Sequence, residues 1–80
     1  MKVTVKLFAM LNTYAPEGYR SGTPFEVELA EDGSLADLVT RLGIPEREVK
    51  IAYVDGRARS LYFRLEPGAE VGIFPPVGGG

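Results

Sequence analysis

The sequence predicts an α+β domain in which one amphipathic helix covers one face of a mixed four- to five-strand sheet. Three observations lead there. Short segments alternate apolar and polar residues with the period of a strand, most clearly at residues 2–8 and 24–30. A single segment, residues 34–43, carries apolar residues at helical spacing between helix start and stop signals. The chain has 80 residues, enough for one small core and too few for two.

Taken in order, residues 2–8 (Lys-Val-Thr-Val-Lys-Leu-Phe) read as a strand, with Val3, Val5 and Leu7 on one face and Lys2, Thr4 and Lys6 on the other. Ala9–Ala15 suits one or two helical turns before Pro16, and Glu17–Thr23, containing Gly18 and Gly22, reads as a loop. A second strand is expected at Pro24–Ala30, where Phe25, Val27 and Leu29 alternate with Glu26 and Glu28, followed by a turn at Asp32-Gly33. Ser34 suits a helix N-cap, and Asp37 lies near the positive end of the helix dipole. Leu35, Leu38, Val39 and Leu42 share one helical face, Gly43 is placed to end the helix, and Ile44-Pro45 stops it. Ile51–Val54 reads as a strand running into Asp55-Gly56, a hairpin signal, with its return through Arg57–Ser60. Leu61–Leu65 is ambiguous and is compatible with a short turn of helix. Glu66-Pro67-Gly68 is a tight turn and Glu70–Phe74 the last strand. This order is the outline of a β-grasp fold over residues 1–74, with 75–80 as a tail. Periodicity alone does not separate it from other small α+β arrangements.

The composition narrows the chemistry. The formal charge of −2 argues against a nucleic-acid binder, which is normally basic. No run approaches the ~20 apolar residues that span a bilayer, and Met1–Lys6 lacks a signal peptide's apolar region, so a cytoplasmic protein is expected. There is no cysteine, which excludes disulfides, thiolate catalysis and cysteine-bound metals. There is no histidine, the commonest general base near neutral pH. A carrier, a binding module or a subunit completed by a partner is therefore expected, with no bound cofactor, no metal and no autonomous catalysis.

The last ten residues are Val71-Gly72-Ile73-Phe74-Pro75-Pro76-Val77-Gly78-Gly79-Gly80. Pro75 and Pro76 cannot donate to a strand ladder and favour a stiff, extended segment leading away from the sheet. Gly78, Gly79 and Gly80 form an extension without side chains, slim enough to enter a narrow channel. A terminal carboxylate presented this way is sterically bare. It is a poor electrophile, so acyl chemistry there requires activation, for instance as an acyl-adenylate made with ATP. A glycine-rich end is also what an ordinary frayed terminus looks like.

The sequence resembles the MoaD/ThiS family of ubiquitin-like sulfur carriers over nearly its whole length. Val5-Lys6-Leu7-Phe8-Ala9 is similar to the family's opening strand, Ser34-Leu35-Ala36-Asp37-Leu38 to its main helix start, and Ala52–Arg57 to its hairpin. Glu66–Gly80, with Phe-Pro-Pro-Val before the glycines, resembles the end of the MoaD branch, the small subunit of molybdopterin synthase. The resemblance implies that an E1-like (MoeB/ThiF-type) enzyme adenylates Gly80 with ATP and that a sulfur donor converts it to a thiocarboxylate. It further implies that Gly78 and Gly79 carry this group into a MoaE-like large subunit, or another acceptor enzyme, for molybdenum cofactor synthesis. Phe74, Pro75, Pro76 and Val77 would form an apolar ridge for docking, unless Phe74 simply closes the core. Arg57, Arg59 and Arg64 would form a basic patch for an acidic partner, or a solvated face. Tyr14, Tyr19, Tyr53 and Tyr62 read as packing or edge residues. Other sulfur-transfer pathways, conjugation to protein lysines and non-covalent binding stay open as alternatives.

Overall fold

Alternation along the first strand, β1 (Lys2–Leu7), buries Val3, Val5 and Leu7 on one side and leaves Lys2, Thr4 and Lys6 on the other. The computed structural model describes residues 1–76. After β1 the chain makes a 3₁₀ helix at Ala9–Tyr14, β2 (Phe25–Glu28), the α-helix α1 (Leu35–Leu42) and a second 3₁₀ helix at Glu46–Glu48. It ends in β3 (Ile51–Val54), β4 (Arg57–Arg59) and β5 (Glu70–Phe74). The strands form one sheet in the order β2-β1-β5-β3-β4. The central β1–β5 pair is parallel and the other three pairs are antiparallel. This is the expected β-grasp architecture, at the five-strand end of the expected range.

The register builds the core. Val5 lies opposite Val71 and Leu7 opposite Ile73, while Ile73 and Val71 face Ala52 and Val54 on β3. Leu35, Leu38 and Val39 of α1 are buried with this face, and Leu42 is half-buried at its margin. The helix starts where the sequence places it. The Asp37 amide donates to Ser34 Oγ at 3.2 Å and the Ser34 amide to Asp37 Oδ2 at 2.9 Å, a reciprocal capping box. Gly43 ends it in the left-handed conformation (φ 79°), which a residue without Cβ adopts freely. The β3–β4 turn places Asp55 at φ 50° and Gly56 at φ 88°, the two positive angles of a tight hairpin.

Two segments depart from the sequence reading. Leu61–Leu65 forms no helix. Leu61 and Tyr62 lie in a turn closed by the Phe63 amide donating to Ser60 O at 3.0 Å. Phe63–Leu65 runs beside the start of α1, with the Leu35 amide donating to Phe63 O at 2.9 Å and the Leu65 amide to Gly33 O at 2.8 Å. The 3₁₀ helix at Glu46–Glu48 has no apolar period and follows directly from Pro45. It is tied to the first 3₁₀ helix by the Tyr14 hydroxyl, which donates to Glu48 Oε1 at 2.9 Å.

That hydrogen bond, helped by partial desolvation, raises the Tyr14 pKa above its ordinary value of 10.0. A group whose pKa is raised by folding stabilises the fold fully below its unfolded value, and the contribution fades as pH rises through the folded value. Melting curves of the wild type and Tyr14→Phe are therefore expected to differ at neutral pH and to converge in strongly alkaline solution. A gap that stays constant with pH would show that Tyr14 acts through packing alone.

Candidate functional site

The side of the sheet away from α1 is uncovered by any helix among the described residues, and alternation puts Thr4, Lys6, Glu70, Gly72, Phe74 and Tyr53 there. It is not the wholly polar face that the Lys2-Thr4-Lys6 series suggests. Phe8, one residue past β1, stacks on Phe74 with ring centroids 4.1 Å apart and planes within 5°. Tyr53 meets Phe74 edge-on at 5.7 Å. All three rings keep part of their surface exposed.

Gly72 lies among these rings. A Cβ at this position would touch Phe8 at 3.6 Å and Phe74 at 3.8 Å, so the missing side chain leaves a depression in the sheet. An open hollow of about 320 Å³ lies over it, lined by Thr4, Lys6, Phe8, Tyr53, Glu70 and Phe74. Three of the lining residues are aromatic, and Lys6 and Glu70 are among the others. Such a surface can accept an apolar or aromatic side chain of a partner and fix its orientation through two charges of opposite sign.

The hollow adjoins the exit of the chain. Phe74 is the last residue of β5, and its carbonyl accepts from the Lys50 amide at 2.8 Å. Pro75 is half-buried and Pro76 exposed. Phe74 thus does not close the buried core; it belongs to the open face. Val77, Gly78, Gly79 and Gly80 lie outside the described residues.

The structure does not bring the three arginines to this face. Arg57 and Arg59 pair with Val54 and Ala52, both buried beneath the helix, so their side chains lie on the helix side of the sheet. Arg59 stands over the Phe63 ring at 4.5 Å, and Arg64 bridges to Ser34 at the start of α1. Among the tyrosines, Tyr19 is structural. Its hydroxyl accepts from the Leu7 amide at 2.8 Å and donates to Thr23 O at 2.5 Å. Tyr62 is 89% exposed and does not pack into the core. Among the described residues no group of three or more acidic side chains could hold a metal ion.

Phe8, Tyr53 and Gly72 were not singled out as site residues by the sequence. One signal was present. Phe8 has the same parity as Lys2, Thr4 and Lys6, so a large aromatic ring falls on the side that alternation assigns to solvent.

The model of the family described as Mut7-C ubiquitin matches residues 1–78. The chain belongs to the Mut7-C ubiquitin family. This member is also similar to solved structures of MoaD-type and archaeal modifier proteins. One is a Pyrococcus furiosus protein assigned as molybdopterin converting factor, subunit 1, at 30% identity over 96% of this chain and 99% of that one, with a TM-score of 0.70. Another is small archaeal modifier protein 1 of Haloferax volcanii (SAMP1), at 26% identity over the whole of both chains, again with a TM-score of 0.70. A third is the complex of subunits 1 and 2 of molybdopterin-converting factor from Helicobacter pylori, where 22% identity over both full chains and a TM-score of 0.60 show a shared fold. No curated protein matches the chain by sequence. The kinship with MoaD/ThiS-type ubiquitin-like proteins that the tail suggested is borne out for this Mut7-C ubiquitin family member.

Proposed function

We propose that this ubiquitin-like protein is a sulfur carrier that docks through the aromatic hollow on its open face and reacts through the carboxylate of Gly80. The observation that carries the reading is the position of the hollow, lined in part by Phe74, the last residue before the Pro-Pro segment. A partner that seats a side chain over Gly72 lies beside the point where Pro75 and Pro76 leave the sheet, and in this reading docking there couples binding to use of the carboxylate. In a chain ending at Gly80, an E1-like enzyme of the MoeB/ThiF type transfers AMP from ATP to the carboxylate, releasing pyrophosphate. A sulfide-level donor then displaces AMP and leaves a thiocarboxylate. Gly78 and Gly79 give that group an approach without side chains.

The acceptor in this reading is a MoaE-like large subunit acting in molybdenum cofactor synthesis. Its support is the resemblance of the Phe-Pro-Pro-Val segment to the MoaD branch and the 30% identity to the Pyrococcus furiosus subunit 1. Similarity to the archaeal modifier protein favours a second reading, in which Gly80 is conjugated to protein lysines. Both begin with the same activation.

Intact-mass spectrometry before and after incubation with the activating enzyme, ATP and a sulfur source tests the proposal. The expected result is the gain of one oxygen-to-sulfur exchange, located at Gly80 and absent from a variant lacking Gly79 and Gly80. Lysine conjugates without a thiocarboxylate would favour the modifier reading, and no change with a demonstrably active enzyme would overturn both.

A further inference from the structure

The two outer strands of the sheet carry opposite charges in matching patterns. β4 is Arg57-Ala58-Arg59, with every residue exposed. At the other edge, β2 is Phe25-Glu26-Val27-Glu28, with the Glu26 and Glu28 side chains 67% and 61% exposed. Each strand pairs on one side only within the described residues, so each leaves a row of backbone donors and acceptors open. On both strands two like charges sit two residues apart and therefore project from one side. From this complementarity we infer that β4 of one copy pairs with β2 of a second copy, setting Arg57 and Arg59 against Glu26 and Glu28.

The geometry fixes the orientation of the pair. The arginines lie on the helix side of the sheet and the glutamates on the open side, because Glu26 is opposite Thr4 and Glu28 opposite Lys2. Unlike charges share a side only when the second copy is turned over about the axis that runs across the strands. Within one copy β4 runs in the direction of β1 and β2 against it. Turning the second copy over reverses its β2, so the joined strands run parallel. Ala58 then neighbours Val27 on the other side, where its methyl group takes little room.

The backbone at Ala58 suits this role. The two-residue turn makes Val54 and Arg57 the hydrogen-bonded pair that closes the hairpin, so the groups of Ala58 point away from β3 towards the open edge. The symmetric alternatives are opposed by charge. Pairing β4 with β4 sets arginine against arginine, and pairing β2 with β2 sets glutamate against glutamate. Neither Arg57 nor Arg59 has an ion pair among the described residues, whereas Glu28 and Glu26 lie 3.1 Å from the Met1 ammonium and 4.0 Å from Lys2 Nζ. The incoming arginines thus share carboxylates that already hold one cation each. The contact uses a different strand on each copy and adds copies in a row without closing. Its small size places it among weak, transient interfaces.

Sedimentation velocity of the full chain tests the inference. At low salt the mean sedimentation coefficient is expected to rise over a roughly hundredfold concentration range reaching the millimolar, and about 0.5 M salt is expected to reverse it. The double variants Arg57→Glu/Arg59→Glu and Glu26→Arg/Glu28→Arg each carry one sign on both edges and are expected to sediment as monomers. Mixed in equal amounts, they are expected to associate again. Circular dichroism melts establish that each is folded. Ala58→Pro keeps every charge, removes the outward amide and is likewise expected to be monomeric. A wild type that stays monomeric at low salt, a mixture no larger than its components, or an Ala58→Pro variant that associates like the wild type would overturn the proposal.

Discussion

Replacing Ile73 with alanine is expected to destabilise the domain by about 3–4 kcal/mol, the usual cost of deleting most of a fully buried branched side chain. Ile73 is 0% exposed and sits on the middle strand, opposite Leu7 on one side and Ala52 on the other. No flanking element can collapse into the vacancy without breaking the register on both sides. For a chain of 80 residues, typical total stability is on the order of 4–12 kcal/mol, so this single change removes a large share of it. Urea unfolding of the variant beside Tyr62→Ala provides the measurement. Tyr62 is 89% exposed, and its removal is expected to stay within about 0.5 kcal/mol of the wild type. A loss below about 1 kcal/mol at Ile73 would contradict its place at the centre of the core.

The second large effect is functional. Truncating Phe74 to alanine removes one face of the stack with Phe8 and the edge contact with Tyr53, both on the open face. As the central aromatic of a docking surface it is expected to cost about 2–4 kcal/mol of partner binding, or roughly a hundredfold in affinity. The proposed division of labour sets the form of the result. KM of the activating enzyme for the carrier should rise about a hundredfold while the rate at saturation stays near the wild type. Phe8→Ala should behave in the same way, since the two rings form one surface. A fall in the saturated rate with unchanged KM would place these rings in the chemistry. No change in either would remove the open face from the interaction.

The sequence was most legible where a local interaction decides the structure. Ser34, Asp37 and Gly43 define the helix through contacts spanning a few residues, and all three take the expected positions. Asp55-Gly56 sets its hairpin for the same reason. The 3₁₀ helix at Glu46–Glu48 was not legible, because three charged residues after a proline carry no apolar period. Leu61–Leu65 was ambiguous because its conformation is imposed from outside, by the α1 start to which its backbone is bonded. The aromatic hollow depends on the parallel pairing of β1 with β5, which brings Phe8 to Phe74 across 66 positions of sequence. No local pattern encodes that meeting. The side on which Arg57 and Arg59 lie was available in principle. A two-residue hairpin sets them against the apolar residues Val54 and Ala52, hence on the core side.

The strand order has a consequence for synthesis of the chain. β5 is formed from residues 70–74, yet it occupies the middle of the sheet between β1 and β3. A nascent chain that has emerged only as far as β4 holds two separate hairpin-like pieces, β1–β2 and β3–β4, with no strand pairing between them. Neither two-stranded piece is expected to be stable by itself. The sheet closes only when Glu70–Phe74 slots between them, and this late, non-local step is expected to limit the folding rate. A ribosome stalled upstream of Glu70 therefore exposes an unfolded polypeptide to proteases. Because Phe74 directly precedes the Pro-Pro segment, the event that closes the sheet also fixes the point from which Pro75 and Pro76 leave it.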